Sequence, residues 1–306
     1  MNQPALLCRL LAEQGLCSAE ELASQLGTSL DCVRELISTA QAQSHVQLLE
    51  CNSYQITEAG RNWLEQFRVD NAIILTAGFG TRLAPYTLDT PKGLLKVRGT
   101  PMVERQIEQL HAAGITEIIL VVGYLAEKFE YLRKKQGVTL VYNPEYASKN
   151  NYASLYCVRE YLGNSYISVG DHWIEENIFH TFEPNSWFSS TYVQGSSSEW
   201  RLEMDPDDRV INMDTWAQDD WVLMGPGFFT REFSKVYRTL LEEYYERGAV
   251  DYFWEHLIWD HFKRLPAIYL NRQDSANVIE IETPEDLYSF DPSYLECLPR
   301  KYGTTP

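Results

Sequence analysis

From Asn71 onward, short apolar runs alternate with amphipathic stretches, and that alternation confines the chain to a mostly parallel sheet covered on both faces. Ala72 to Leu75 reads as a short buried strand. Thr100 is placed to cap a helix with Pro101 at its first position, Val103, Ile107 and Leu110 on one face, and Gly114 as its stop. Glu117 to Val122 is expected as a strand, Ala126 to Lys135 as a helix and Val138 to Tyr142 as a strand. A helix through Leu155 to Leu162 and a strand from Tyr166 to Val169 follow. Ligands of such a sheet bind at the carboxyl ends of its strands.

The first strand runs directly into Leu75-Thr76-Ala77-Gly78-Phe79-Gly80-Thr81-Arg82-Leu83, followed by Pro85 and then Thr90-Pro91-Lys92. Glycines after a strand let backbone N–H groups approach a phosphate closely. Two phosphate-binding patterns are excluded. A dinucleotide fingerprint needs a third glycine where Leu83 stands, and the lysine-plus-hydroxyl ending of a Walker A loop is absent. Arg82 and Lys92 supply two cations, which suits nucleotidyl transfer, because negative charge builds on the α-phosphoryl oxygens and the departing pyrophosphate.

This segment resembles the G-x-G-T-R…P-K signature of the sugar-nucleotide pyrophosphorylase and cytidylyltransferase superfamily. The resemblance covers about residues 71–290 and implies an α/β, Rossmann-like (GT-A-like) nucleotidyltransferase fold with a mixed sheet. It implies that Thr76, Ala77, Gly78, Phe79, Gly80 and Thr81 line the nucleotide site. Arg82 would hold the β- and γ-phosphates and Lys92 the α-phosphate. Asn150-Asn151-Tyr152-Ala153-Ser154 is similar to the nucleoside-pocket segment of bacterial phosphocholine cytidylyltransferases, which implicates Asn150 and Ser154. By the same resemblance Asp171, after Ser168-Val169-Gly170, and Glu282, in Ile279-Glu280-Ile281-Glu282, are the ligands of Mg²⁺; hard oxygen donors suit that ion. The family carries Asp where Glu282 stands.

Seven of the eight tryptophans lie between residues 173 and 259. Glu199-Trp200 and Asp251-Tyr252-Phe253-Trp254 resemble the choline-contacting segments of the same family. A quaternary ammonium donates no hydrogen bonds and is read by aromatic faces with a carboxylate nearby. Trp200, Phe253 and Trp254 would form such a box, with Asp251 or Glu199 adding negative potential. The expected partners are CTP and a small phosphorylated amino alcohol, phosphocholine first and 2-aminoethylphosphonate or phosphoethanolamine as rivals. A regulator using the transferase domain as a ligand sensor is the reading of another class.

Residues 1–68 form a different pattern, so the chain divides into 1–68 and 69–306. Ala5 to Gln14 is helical, Ser18 and Glu21 make a capping box, Gly27 stops a second helix, and Thr28 or Ser29 opens a third with Val33, Leu36 and Ile37 inward. Val46 to Cys51 and Tyr54 to Thr57 read as a hairpin, and a last helix passes Trp63, Leu64 and Phe67. This order resembles a winged helix-turn-helix domain. The segment holds four arginines and no lysine against eight acids, which disfavours DNA binding through the third helix. A net charge of −17 points the same way for the whole chain.

The start MNQPALLCRLLAEQG lacks a basic n-region and a cleavage site, so no signal peptide is expected. The longest apolar stretch, Ile118 to Ala126, is too short to span a bilayer. Six cysteines without CxxC pairs read as free thiols, and a cytoplasmic location is expected.

Overall fold

A computed structural model describes residues 1–296. The chain begins with α1 (Gln3–Gln14), α2 (Ala19–Leu26), α3 (Leu30–Ala42), the antiparallel pair β1 (Val46–Leu48) and β2 (Tyr54–Ile56), and α4 (Glu58–Leu64). Ser18 accepts from the Glu21 N–H while the Glu21 carboxylate reaches back to the Ser18 N–H, and Gly27 closes α2 in the left-handed region at φ 62°. Leu7, Leu11, Leu22, Val33, Ile37 and Leu64 make this unit's own core. Its strands are shorter than expected. Glu50–Asn52 winds into a single 3₁₀ turn, and Asn52, a residue that tolerates positive φ, sits at 58°.

The remainder comprises β3 (Asn71–Thr76), β4 (Lys96–Val97), β5 (Thr100–Pro101), α5 (Met102–Ala112), β6 (Ile118–Val122), α6 (Glu130–Gln136), β7 (Thr139–Tyr142), α7 (Tyr152–Cys157), β8 (Ser165–Val169), β9 (His172–Ile174), β10 (Ser186–Ser197), β11 (Arg201–Met204), β12 (Val210–Asp214), β13 (Ala217–Phe229), α8 (Arg231–Glu246), α9 (Trp254–His261), β14 (Ile268–Arg272), β15 (Val278–Glu280), α10 (Pro284–Phe290) and α11 (Ser293–Glu296). One mixed sheet runs β12-β11-β13-β8-β3-β6-β7, with β10 beside β13 and β14 beside β10. The pairs β8–β3, β3–β6 and β6–β7 are parallel, whereas β13 joins β8 antiparallel.

Period-two alternation explains the two layers. Ile73, Leu75 and Ile167 face one core with Phe229, Phe233 and Tyr237, while Ala72, Ile74 and Tyr166 face the other with Ile107 and Leu110 of α5. Two helices differ from expectation. Thr100 is not a cap: it pairs with Val97 in a short ribbon, Pro101 occupies the N-cap position, and no side chain caps α5. The helix expected at Leu155 starts three residues earlier, at Tyr152, with Asn151 at the N-cap position and no side-chain cap; just ahead of it the Asn150 side chain accepts from the Asn151 N–H. It ends at Cys157, where Val158 leaves helical geometry, and a 3₁₀ turn, Arg159–Tyr161, completes the segment.

The cores change over between Phe67, which packs with the N-terminal unit, and Val69, which packs under the sheet. The units are nonetheless fastened together. Arg9 donates to the buried Glu183 at 2.8 Å, His180 meets Glu13 at 3.0 Å, the Asn2 N–H donates to Asn185, and Phe182 packs into the N-terminal core. No helix among the described residues is long and apolar enough to cross a membrane.

Candidate active site

The loop after β3 and the ends of β7 and β8 enclose a cleft of about 290 Å³. Thr76, Ala77, Gly78, Gly80, Thr81, Asn150 and Ser154, the residues expected to bind nucleotide, all line this cleft. The loop is held open by its backbone: the Ala77 carbonyl accepts from the Tyr124 N–H, and the Gly80 carbonyl accepts from Leu83 N–H and the Thr87 hydroxyl. Gly80 sits at φ 64°, where a side chain would be strained. A Cβ on Gly93 would lie 2.8 Å from Thr76 Oγ1 and 3.1 Å from the Gly170 carbonyl, so glycine there lets the lysine-bearing turn close on the strand ends. Phe79 differs from expectation: its ring lies on Tyr124 and Tyr146, outside the wall of the cleft.

Both cations are held by carboxylates. Lys92 Nζ is 2.6 Å from Asp171, and Arg82 grips Glu282 with both guanidinium ends, one contact at 2.6 Å. Burial raises the Asp171 carboxyl, but the Lys92 charge and hydrogen bond, the neighbouring His172 and a backbone N–H together outweigh it and hold the carboxyl below its usual range. Asp171 lies just past β8, and the antiparallel pairing of β9 with β15 sets His172 opposite Glu280. Asp171, His172 and Glu280 therefore present ligand atoms within 4.8 Å of one another. Burial, then the charges of Asp171 and Glu282, push the Glu280 carboxyl up to about 9, while burial pushes the His172 ring down to about 4. The buried Asp171 Oδ1 and His172 Nδ1 have no hydrogen-bond partner. Orphaned donor atoms, a neutral imidazole and two carboxyls that would repel each other if both were ionised fit a divalent cation.

Sequence reasoning missed Glu280 and His172. Glu280 and Glu282 share strand parity, so their spacing gives no reason to prefer one; the structure places Glu280 against Asp171 and leaves Glu282, just beyond β15, in the grip of Arg82.

A second cavity of about 480 Å³ opens from the first, with Arg82, Asn151, Asp171 and Glu282 in both walls. Its far end holds Glu199, Trp200, Phe253 and His256. Trp200 meets His256 edge-on at 4.9 Å and Trp259 at 5.3 Å, and Phe253 stacks on His256. Trp254 reaches the wall but is mainly core, packed edge-on to Phe188 and tilted against Phe229. Asp251 is not in this wall: it accepts from the Asn150 side chain at 3.2 Å.

Residues 72–172 match the family model of the MobA-like NTP transferase domain. The chain is 37% identical over 216 residues to the choline-phosphate cytidylyltransferase of Streptococcus pneumoniae, spanning 70% of this chain and 94% of that one. It is 33% identical to the 2-aminoethylphosphonate cytidylyltransferase of Lancefieldella rimae, over 74% of this chain and 94% of that one. Among solved structures, the CTP:phosphocholine cytidylyltransferase from Streptococcus pneumoniae superposes with a TM-score of 0.71 at 36% identity, covering 74% of this chain and 99% of that one.

Proposed function

Because the chain belongs to the bacterial choline-phosphate cytidylyltransferase family, we propose that it transfers CMP from CTP to phosphocholine, giving CDP-choline and pyrophosphate. The observation that carries this reading is the pair of joined cavities: a glycine-lined cleft with two cations opening into an aromatic, carboxylate-bearing chamber across Asp171. A phosphate oxygen of phosphocholine attacks the α-phosphorus of CTP in line, and the bond from that phosphorus to the bridging oxygen of the pyrophosphate breaks. The nucleophile is already ionised at neutral pH and needs no general base.

The backbone from Ala77 to Thr81 cradles the triphosphate, Arg82 exchanges Glu282 for the β- and γ-phosphates, and Lys92 exchanges Asp171 for the α-phosphate. The carboxylates thus keep the empty cleft near charge balance until phosphates arrive. Asp171 and Glu280, with His172 beside them, are the residues that would hold Mg²⁺, and Glu282 borders the same position. The bound ion would neutralise phosphate charge. Trp200 and Phe253 offer ring faces to the trimethylammonium head.

A second reading, 2-aminoethylphosphonate as acceptor, is favoured by the relative of that name. We read residues 1–68 as a winged helix that docks on the transferase domain rather than on DNA; on α3, Arg34 is spent on Asp31. The cytoplasm, where CTP is made, is the location this activity requires.

The test is pyrophosphate release with CTP, GTP, UTP and dTTP in turn, each with phosphocholine and Mg²⁺. CTP is expected to lead, and release should stop on chelation. Preference for another nucleotide, or full rate in chelator, would remove the assignment.

A further inference from the structure

We propose that Glu255 is the specificity-determining carboxylate for the acceptor's positive charge, facing the ammonium head at the aromatic end of the second cavity; the inference rests on the cytidylyltransferase reading above. Asp251, the residue that sequence resemblance offers for this work, is turned away to Asn150. Glu255 instead shares the cavity wall with Trp200, Phe253, His256 and Glu199.

Three observations converge on it. Its Oε2 is enclosed and has no hydrogen-bond partner. No lysine, arginine or histidine forms an ion pair with it among the described residues, although the chain pairs many surface acids. Glu199 stands close enough for its charge to act on Glu255. Burial, and then that neighbouring charge, push the Glu255 carboxyl up to about 8. A buried carboxyl that must stay protonated for want of a cation costs stability, and a protein interior does not keep one for packing. Around it lie ring faces that suit an organic cation and no side-chain donor for Oε2. The missing partner is therefore a cation brought by the ligand, whose phosphate end reaches Arg82 and Asp171 across the same cavity.

A purely local role is the competing explanation. Glu255 lies in the first turn of α9, its own backbone N–H steadies the carboxylate, and acids there favour the helix dipole. The two roles differ in sign. Removing a helix-stabilising group lowers stability, whereas removing a buried carboxyl that folding must hold protonated until substrate arrives raises it and weakens the substrate.

Glu255→Gln preserves shape and tests this directly. Thermal midpoint without ligands is read beside kcat/KM for phosphocholine and for 3,3-dimethylbutyl phosphate, its uncharged isostere. Wild type should prefer phosphocholine. The variant should lose at least about tenfold on phosphocholine, the scale of one charge-assisted contact, with the isostere and the KM for CTP nearly unchanged and the midpoint equal or higher. Equal losses on both acceptors, or a lower midpoint with the acceptor preference intact, would overturn the assignment. If wild type turns over 2-aminoethylphosphonate and not phosphocholine, the phosphocholine reading fails. Glu255 is then judged by the same ratio, with propylphosphonate as the uncharged partner. An enzyme that uses neither pair overturns the subsite along with the reading beneath it.

Discussion

Lys92 and Asp171 touch at 2.6 Å, and each is expected to matter through what replaces the other. On the proposed function, bound nucleotide would set Lys92 against the α-phosphate and Asp171 against a cation, so Lys92→Ala and Asp171→Ala should each lower kcat by at least about a hundredfold, the scale for loss of one transition-state charge partner. Glu282→Gln should cost less, because Glu282 is engaged by Arg82 rather than set against Asp171 and His172. Steady-state rates on folded variants, checked by thermal midpoint, decide this. Near-normal kcat for Lys92→Ala would remove it from the transfer step. Arg82, Lys92 and Asp171 were legible in the sequence because their motifs set them in the turns after β3 and just past the end of β8. Glu280 was hidden by a period of two: residues 280 and 282 have the same parity in the sequence, and only the end of β15 at Glu280 and its pairing with His172 separate them. Asp251 and Glu255 likewise flank the same aromatic run, and the turn into α9 decides which of them enters the cavity.

Elements were most legible where local chemistry decides them. Ser18, Glu21 and Gly27 bound α2 without tertiary help, and the uninterrupted apolar run Ile118 to Val122 has no alternative to a buried central strand. They were least legible where distant partners intervene. Thr100 has every property of a cap, yet the ribbon between Lys96–Val97 and Thr100–Pro101 claims it. The short α7 owes its start to Asn150 and Asn151, which are tied to Val250 and Trp254 about a hundred residues later. Those ties join the nucleotide cleft to the head of α9. The wall of one cavity is thereby built from the same hydrogen bonds as the wall of the other. The long pairing of β10 with β13, which raises the far side of the second cavity, leaves no local periodicity signal of its own because its strands are buried on one stretch and exposed on the next.

At the scale of the molecule, the N-terminal helices keep a core of their own that also takes in Phe182, and this fastening was not readable from residues 1–68 alone. Arg9 reaches Glu183, which also accepts from the hydroxyl of Tyr166 on β8, the strand that leads to Asp171. Arg9→Ala strands a carboxylate that is only 2% exposed, and breaking such a buried pair costs about 3 kcal/mol. The thermal midpoint should fall by several degrees, with kcat at 25 °C little changed, and Arg9→Ala/Glu183→Gln should recover much of the loss. An unchanged midpoint in the single variant would show that the pair contributes nothing to docking.

The acceptor's identity is the central question for this site. Equimolar phosphocholine and 2-aminoethylphosphonate, incubated with limiting CTP and Mg²⁺, report it directly when the two products are resolved by phosphorus NMR at early times. The joined cavities, with Trp200, Phe253 and the carboxyls of Glu199 and Glu255 in the wall of the second, lead to CDP-choline as the dominant product. Dominant transfer to the phosphonate would contradict that claim and give the site to a primary ammonium.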